Sequence, residues 1–217
     1  MQSYRGLFED TRGREAFSIE NDGRTLRTSL RGVTFVGTDF DALSPIAEHA
    51  ERASCLFALL PPSLCTCVLE WVMPVPMLDH GRMLEANLTV RLELGDPTSR
   101  GGLTQEHVGL TLAAPSGTLR SAGTSGWFED ELLDLVQKLA VGETLSTCIT
   151  CAHSDYSPFG HGLFGGLACF RDAKEDYARV HDKSSLFALW GRHTELVQET
   201  HRCPDQRPRK PGTGYRG

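Results

Sequence analysis

Residues 16–20 alternate apolar and polar side chains, Asn21-Asp22-Gly23 carries a tight-turn signal, and residues 25–30 alternate again. This is the pattern of a β-hairpin, and it recurs through the first 120 residues. A third strand is expected at 32–36. A short, proline-limited connecting helix is expected between 40 and 53, followed by strands at 65–72, 87–94, 107–112 and 118–122. The last two face each other across Pro115-Ser116-Gly117. Strands that follow one another through turns pair antiparallel, so the N-terminal part is expected to be an antiparallel sheet, folded over as a sandwich.

The pattern changes at Thr124-Ser125-Gly126. A helix is expected over 127–139, where Phe128, Leu132, Leu135, Val136 and Leu139 recur at helical spacing and Glu129, Asp130 and Glu131 occupy the first turn, where the helix dipole favours negative charge. A short strand is expected at 144–150. Asp172 with Glu175 has the spacing of a capping box, placing Ala173, Tyr177 and Val180 on one helical face. A last helix is expected at 185–199, with Phe187, Trp190, Thr194 and Val197 along one stripe. Strands first and helices later make an α+β protein, divided into a β-rich part at 1–123 and a helical part at 124–217, or continuous as one domain.

Seven cysteines bring chemistry into this frame. The opening residues have no apolar core of a leader, so a reducing, cytoplasmic setting is expected, in which clustered thiols are read as metal ligands before disulfides. Cys148-x-x-Cys151 is the spacing that turns two thiolates toward one ion, and Cys169 and Cys203 are available in the same half to complete a tetrahedron around Zn2+. His201 or His153 could replace one of them. Cys65 and Cys67 could supply a second pair, but they share a strand face with Leu69 and Trp71, which reads as core. A redox role for the Cys-x-x-Cys is disfavoured, because proline and glycines follow it instead of a helix.

Between Cys151 and Cys169 lies a loop, 153–166, rich in glycine and in groups that hold or move protons. His153 and His161 are candidate general acids or bases, Asp155 a candidate to orient an imidazole, and Tyr156 a candidate hydrogen-bond donor. Its glycines could shape an anion-binding nest or merely serve the turns of a metal loop. The loop matches no P-loop, nucleophile elbow, metalloprotease or zinc-deaminase motif.

The runs SAGTSGWFEDELLDL, CITCAHSDYSPFGHGLFGGLACFRD and PGTGYRG resemble an actinobacterial family described only as a domain of unknown function. The resemblance implies a bacterial, cytoplasmic protein and carries no site with it.

With 22 basic and 28 acidic side chains the net charge is −6, so nucleic acid and membrane are not expected as partners. Residues 202–217 run against this balance, with Arg202, Arg207, Arg209, Lys210 and Arg216 opposing Asp205 alone. This basic tail is expected to lie across its own domain; a grip on a phosphate or an acidic partner is the sharper alternative. The leading expectation is a zinc-stabilised protein that binds a small polar or anionic ligand at loop 153–166, with His/Asp acid-base chemistry as an added option. The alternatives are an interaction protein of immunity or adaptor type, binding a protein partner through its acidic surface, and a catalytic metal centre with one position open to water.

Overall fold

The computed structural model describes residues 1–210, 212 and 214–216; Pro211, Thr213 and Gly217, within the closing PGTGYRG run, lie outside the described residues. The chain separates into two compact units, residues 1–74 with 86–139 and residues 75–85 with 140–217. Helix 128–138 thus belongs with the β-rich part.

The first unit is built on an antiparallel sheet. Strands β1 (Gln2–Asp10), β2 (Gly13–Asn21), β3 (Leu26–Leu30), β4 (Val33–Gly37) and β5 (Ser44–Pro45) follow one another across it. Helix α1 (Ala50–Leu56), entered through a 3-10 turn, and the small hairpin β6 (Leu59–Leu60) and β7 (Ser63–Leu64) come next. The long hairpin of β8 (Cys67–Asp79) and β9 (Arg82–Leu94), then β10 (Glu106–Ala114) and β11 (Gly117–Arg120), complete the sheet in the order β11-β10-β9-β8-β1-β2-β3-β4-β5. The turns are those the residues dictate. Asn21 accepts the Gly23 amide at 2.8 Å, and Asp22 accepts those of Arg24 and Thr25 at 2.9 and 2.7 Å.

β1 is a long strand that local pattern does not announce, because Gly6 interrupts it. The glycine is there for close approach. A Cβ at this position would run into the Glu70 carbonyl and lie 2.8 Å from Trp71 Cβ, where β1 pairs with β8. Cys67, Leu69, Trp71 and Met73 are buried along β8, and Cys65 is buried just before it, as the core-face reading expected. Helix α2 (Phe128–Lys138) packs on β10 and buries Phe128, Leu132 and Leu135; Phe40 stands between Trp71 and Phe128, at ring distances of 4.4 and 6.0 Å.

In the second unit, β12 (Glu143–Leu145) pairs with residues 77–79 of β8. The expected strand at 144–150 stops there and becomes a 3-10 turn, Cys148–Thr150. A small antiparallel sheet follows, β13 (Ser154–Tyr156), β14 (Leu167–Cys169) and a later strand, with α3 (Lys174–Tyr177) and α4 (Lys183–Leu189) inserted before that last strand, β15 (Glu195–Val197). Two helical expectations need correction. The capping box lies at Asp182, whose carboxylate accepts the Ser185 amide at 2.7 Å while Ser185 Oγ accepts the Asp182 amide at 3.2 Å, and not at Asp172. The last helix ends at Leu189, passes through a 3-10 turn containing Gly191, and gives way to β15, drawn onto β14 by the Thr194 amide donating to the Cys169 carbonyl at 2.7 Å. Leu186 and Leu189, not Phe187, face the core of Ala168, Phe170, Ala173, Tyr177 and Val180.

Candidate metal centre and adjoining loop

The second unit gathers the four cysteines singled out by spacing. The 3-10 turn lets the Cys151 amide donate to the Cys148 carbonyl at 3.1 Å, and Ser154 Oγ closes the turn from below, donating to the carbonyls of Cys148 at 2.6 Å and Cys151 at 3.1 Å. The Cys148 and Ile149 amides donate to the carbonyls of His201 and Glu199, both at 3.0 Å, which brings the segment carrying Cys203 alongside. β13 and β14 pair with Ser154 opposite Cys169. All four are buried, and all seven cysteines are free thiols.

Burial pushes the Cys148 thiol up from its ordinary value, and Cys151, Cys203 and Cys169 add to the shift. Burial also raises Cys169, against the Arg171 amide and guanidinium, which favour its thiolate; Arg171 is itself paired with Glu195 at 2.6 Å. Among the described residues, no group of three or more His, Cys, Asp or Glu side chains stands in an arrangement that could hold a metal ion.

The loop residues divide. Asp155 is buried, and its carboxylate accepts the Tyr177 hydroxyl at 2.8 Å, the Tyr215 amide at 3.1 Å and the Tyr156 amide at 2.9 Å. Its bonding partners are thus a phenol and amides, not an imidazole. Burial, with Asp155 beside it, pushes the Tyr177 phenol well above its ordinary range. Tyr156 donates to Glu199 at 3.0 Å, and Glu199 also accepts the Gly165 amide at 2.8 Å, fastening the far end of the loop. His161 stacks on Tyr156 with ring centroids 4.0 Å apart. Glu199 and Tyr177 were not singled out by sequence, since one lay at the end of an expected helix and the other on a core face.

His153 stands apart from Asp155 chemically. Burial lowers its pKa, and the charges that add to the shift, from Lys174, Arg209 and Arg207, are all positive. Lys174 and Arg207 are exposed and form no ion pair among the described residues. The basic tail has two fates: Arg209 and Arg216 turn inward onto the Ser154 region, while Arg207 stays at the surface.

The first unit carries a separate cleft of about 530 Å³ with Glu9, Asp10, Glu93, Asp96 and Cys67 on its walls. Glu9, Asp10 and Glu93 are ion-paired with Arg14, Arg31 and Arg91, and Asp96 accepts the Thr66 hydroxyl at 2.8 Å, so most of its charge is already met.

A family profile matches residues 2–154. The chain belongs to the Family of unknown function (DUF6304). The residues matched to DUF6304 include Cys148 and Cys151 and end before Cys169 and Cys203. No curated protein and no solved structure matches the chain. No helix among the described residues is long and apolar enough to cross a membrane.

Proposed function

We propose that the second unit is a zinc-stapled binding unit, with Zn2+ held by Cys148, Cys151, Cys169 and Cys203 and a small anionic ligand received beside the staple at His153, Lys174 and Arg207. The observation that carries this reading is the burial in one unit of four thiols drawn from three separated stretches of chain, with Cys148 bonded through its amide to His201 and Ser154 paired opposite Cys169. The donor set suits zinc, because four sulfurs close a tetrahedron and leave no position for water, which makes the ion structural. Each thiol has a single χ1 to turn toward the ion. The Arg171 amide aimed at Cys169 is the kind of outer contact that stabilises a ligating thiolate. A reducing cytoplasm, where such thiolates persist, belongs to the same reading.

Binding is favoured over acid-base catalysis because Asp155 and Tyr156 are committed to internal partners, whereas Lys174 and Arg207 are exposed, have no carboxylate partner among the described residues, and act on His153 only through their charge. Metal analysis of the purified full chain is expected to find about one zinc per chain. A stably metal-free protein that keeps its fold would overturn the staple. Calorimetric titration with inorganic phosphate is expected to show binding weakened roughly tenfold or more by combined Lys174→Ala and Arg207→Ala changes; equal affinities would remove the anion site while leaving the staple in place.

A further inference from the structure

Ser185, Ala188, Leu189 and Arg192 are spaced so that they fall on one face of the helical stretch made by α4 and the 3-10 turn that follows it. The end of α3 and the turn after it meet this face. The Arg179 amide donates to the Asp176 carbonyl at 3.1 Å and the Val180 amide to the Tyr177 carbonyl at 2.9 Å, and these bonds set Asp176, Arg179 and Val180 opposite it. An open cavity of about 240 Å³ lies between, lined by these residues of both segments. Its floor is apolar, because Val180 and Leu189 belong to the buried core of the unit and Ala188 adds only a methyl group at its rim. Its wall turns two guanidiniums on one carboxylate: Arg192 Nη1 is 2.6 Å from Asp176 Oδ2, and Arg179 Nη1 is 3.3 Å from Oδ1. A guanidinium has five N–H donors, and among the described residues neither of these bonds to anything beyond Asp176. Ser185, by contrast, is committed to the Asp182 cap.

We propose that this cavity is a binding site for a small monocarboxylate with a short aliphatic tail, whose carboxylate bridges Arg179 and Arg192 while the tail lies on Val180, Ala188 and Leu189. The lining holds two cations against one carboxylate, so a single incoming negative charge balances it. The free donors of a planar guanidinium fork match a carboxylate edge. Asp176 sets the charge limit, since it repels a dianion about twice as strongly as a monoanion. The apolar floor sets the chemistry, because an inorganic anion would leave Val180 and Leu189 facing water. Size limits the tail to a few carbons, the cavity being smaller than the ~300–1,000 Å³ of pockets for larger ligands. Arg179 and Arg192 are exposed, so their ion pairs are screened and affinity is in the millimolar range. The site shares no residue with the phosphate site proposed above and needs no metal.

The test is a nitrogen-edited chemical-shift titration of the full chain that follows the Nε–Hε signals of Arg179 and Arg192. The probes are sodium isovalerate, sodium acetate and neutral isovaleramide. Isovalerate is expected to bind at least tenfold more tightly than acetate, as each methylene taken from water contributes roughly fourfold. It is also expected to bind at least tenfold more tightly than isovaleramide, which lacks the charge. Arg192→Gln is expected to weaken isovalerate about tenfold. Ala188→Leu, which fills the cavity and alters no charge, is expected to weaken isovalerate and leave acetate unchanged. The combined Lys174→Ala and Arg207→Ala variant is expected to bind isovalerate as the wild type does, so that this site and the phosphate site stand or fall separately. Equal affinity for isovalerate and acetate, equal affinity of wild type and Arg192→Gln, or no saturable shift up to about 50 mM isovalerate would each overturn the proposal.

Discussion

Glu131 is buried on α2, yet it is held as a carboxylate. Burial alone would raise its pKa, but the Ser121 hydroxyl and the amides of Ser125 and Gly123 outweigh it and bring the value down to about 2. The amides of Gly123, Thr124 and Ser125 donate at 2.6, 2.9 and 2.9 Å, so a single side chain fixes the whole connection into the helix. An unfolded glutamate titrates near 4.3, well above the folded value. Its contribution is therefore complete above about pH 5 and is lost as the pH falls toward 2; it is on the order of 3 kcal/mol. Glu131→Gln is expected to remove much of that stability at pH 7 and to flatten the acid limb of the stability curve, measured by urea unfolding from pH 7 down to pH 3. A variant whose acid limb still matched the wild type would show that another carboxylate governs it. The sequence placed Glu131 in the first helical turn through the dipole argument; its bonds to the preceding loop required the fold.

At the scale of elements, alternation and turn chemistry made β2, β3, β4, β10 and β11 legible, and helical spacing made α2 legible within a residue at each end. These are elements whose partners are near in sequence or whose buried face repeats over several turns. β1 was not legible, since its close packing against Trp71 is a long-range demand that reads locally as a misplaced glycine. α4 has too few residues to define a face by period, and the expected stripe of Phe187, Trp190, Thr194 and Val197 ran past its end. Its buried face holds Leu186, fully enclosed, while Phe187 is 36% exposed. Leu186→Ala is expected to cost about 2–5 kcal/mol, and Phe187→Ala about 0.5 kcal/mol or less, measured by chemical denaturation of the second unit. Equal losses would restore the Phe187 stripe. β13, β14 and β15 are three residues each and carry almost no pattern, because their pairing, not their composition, makes them strands.

For the whole molecule, division into two compact units means that a loss confined to one need not unfold the other. On the zinc staple proposed above, treating the chain with a strong chelator is expected to abolish hydrogen-exchange protection in β13, β14 and β15 while β2 and β3 remain protected. Uniform loss throughout the chain would show that the two units unfold as one.

Composition and alternation were enough to establish an α+β chain that begins with an antiparallel sheet, because these depend on residues close together or on the chemistry of a side chain alone. Tertiary structure decided which groups remain available. Asp155 and Tyr156 look reactive in a list of residues, but Tyr177 and Glu199 reach them from 22 and 43 positions away and occupy their polar atoms. Arg216 comes from further still to rest on the Ile149 carbonyl. A hydrogen bond depends on separation in space, and local sequence records separation along the chain.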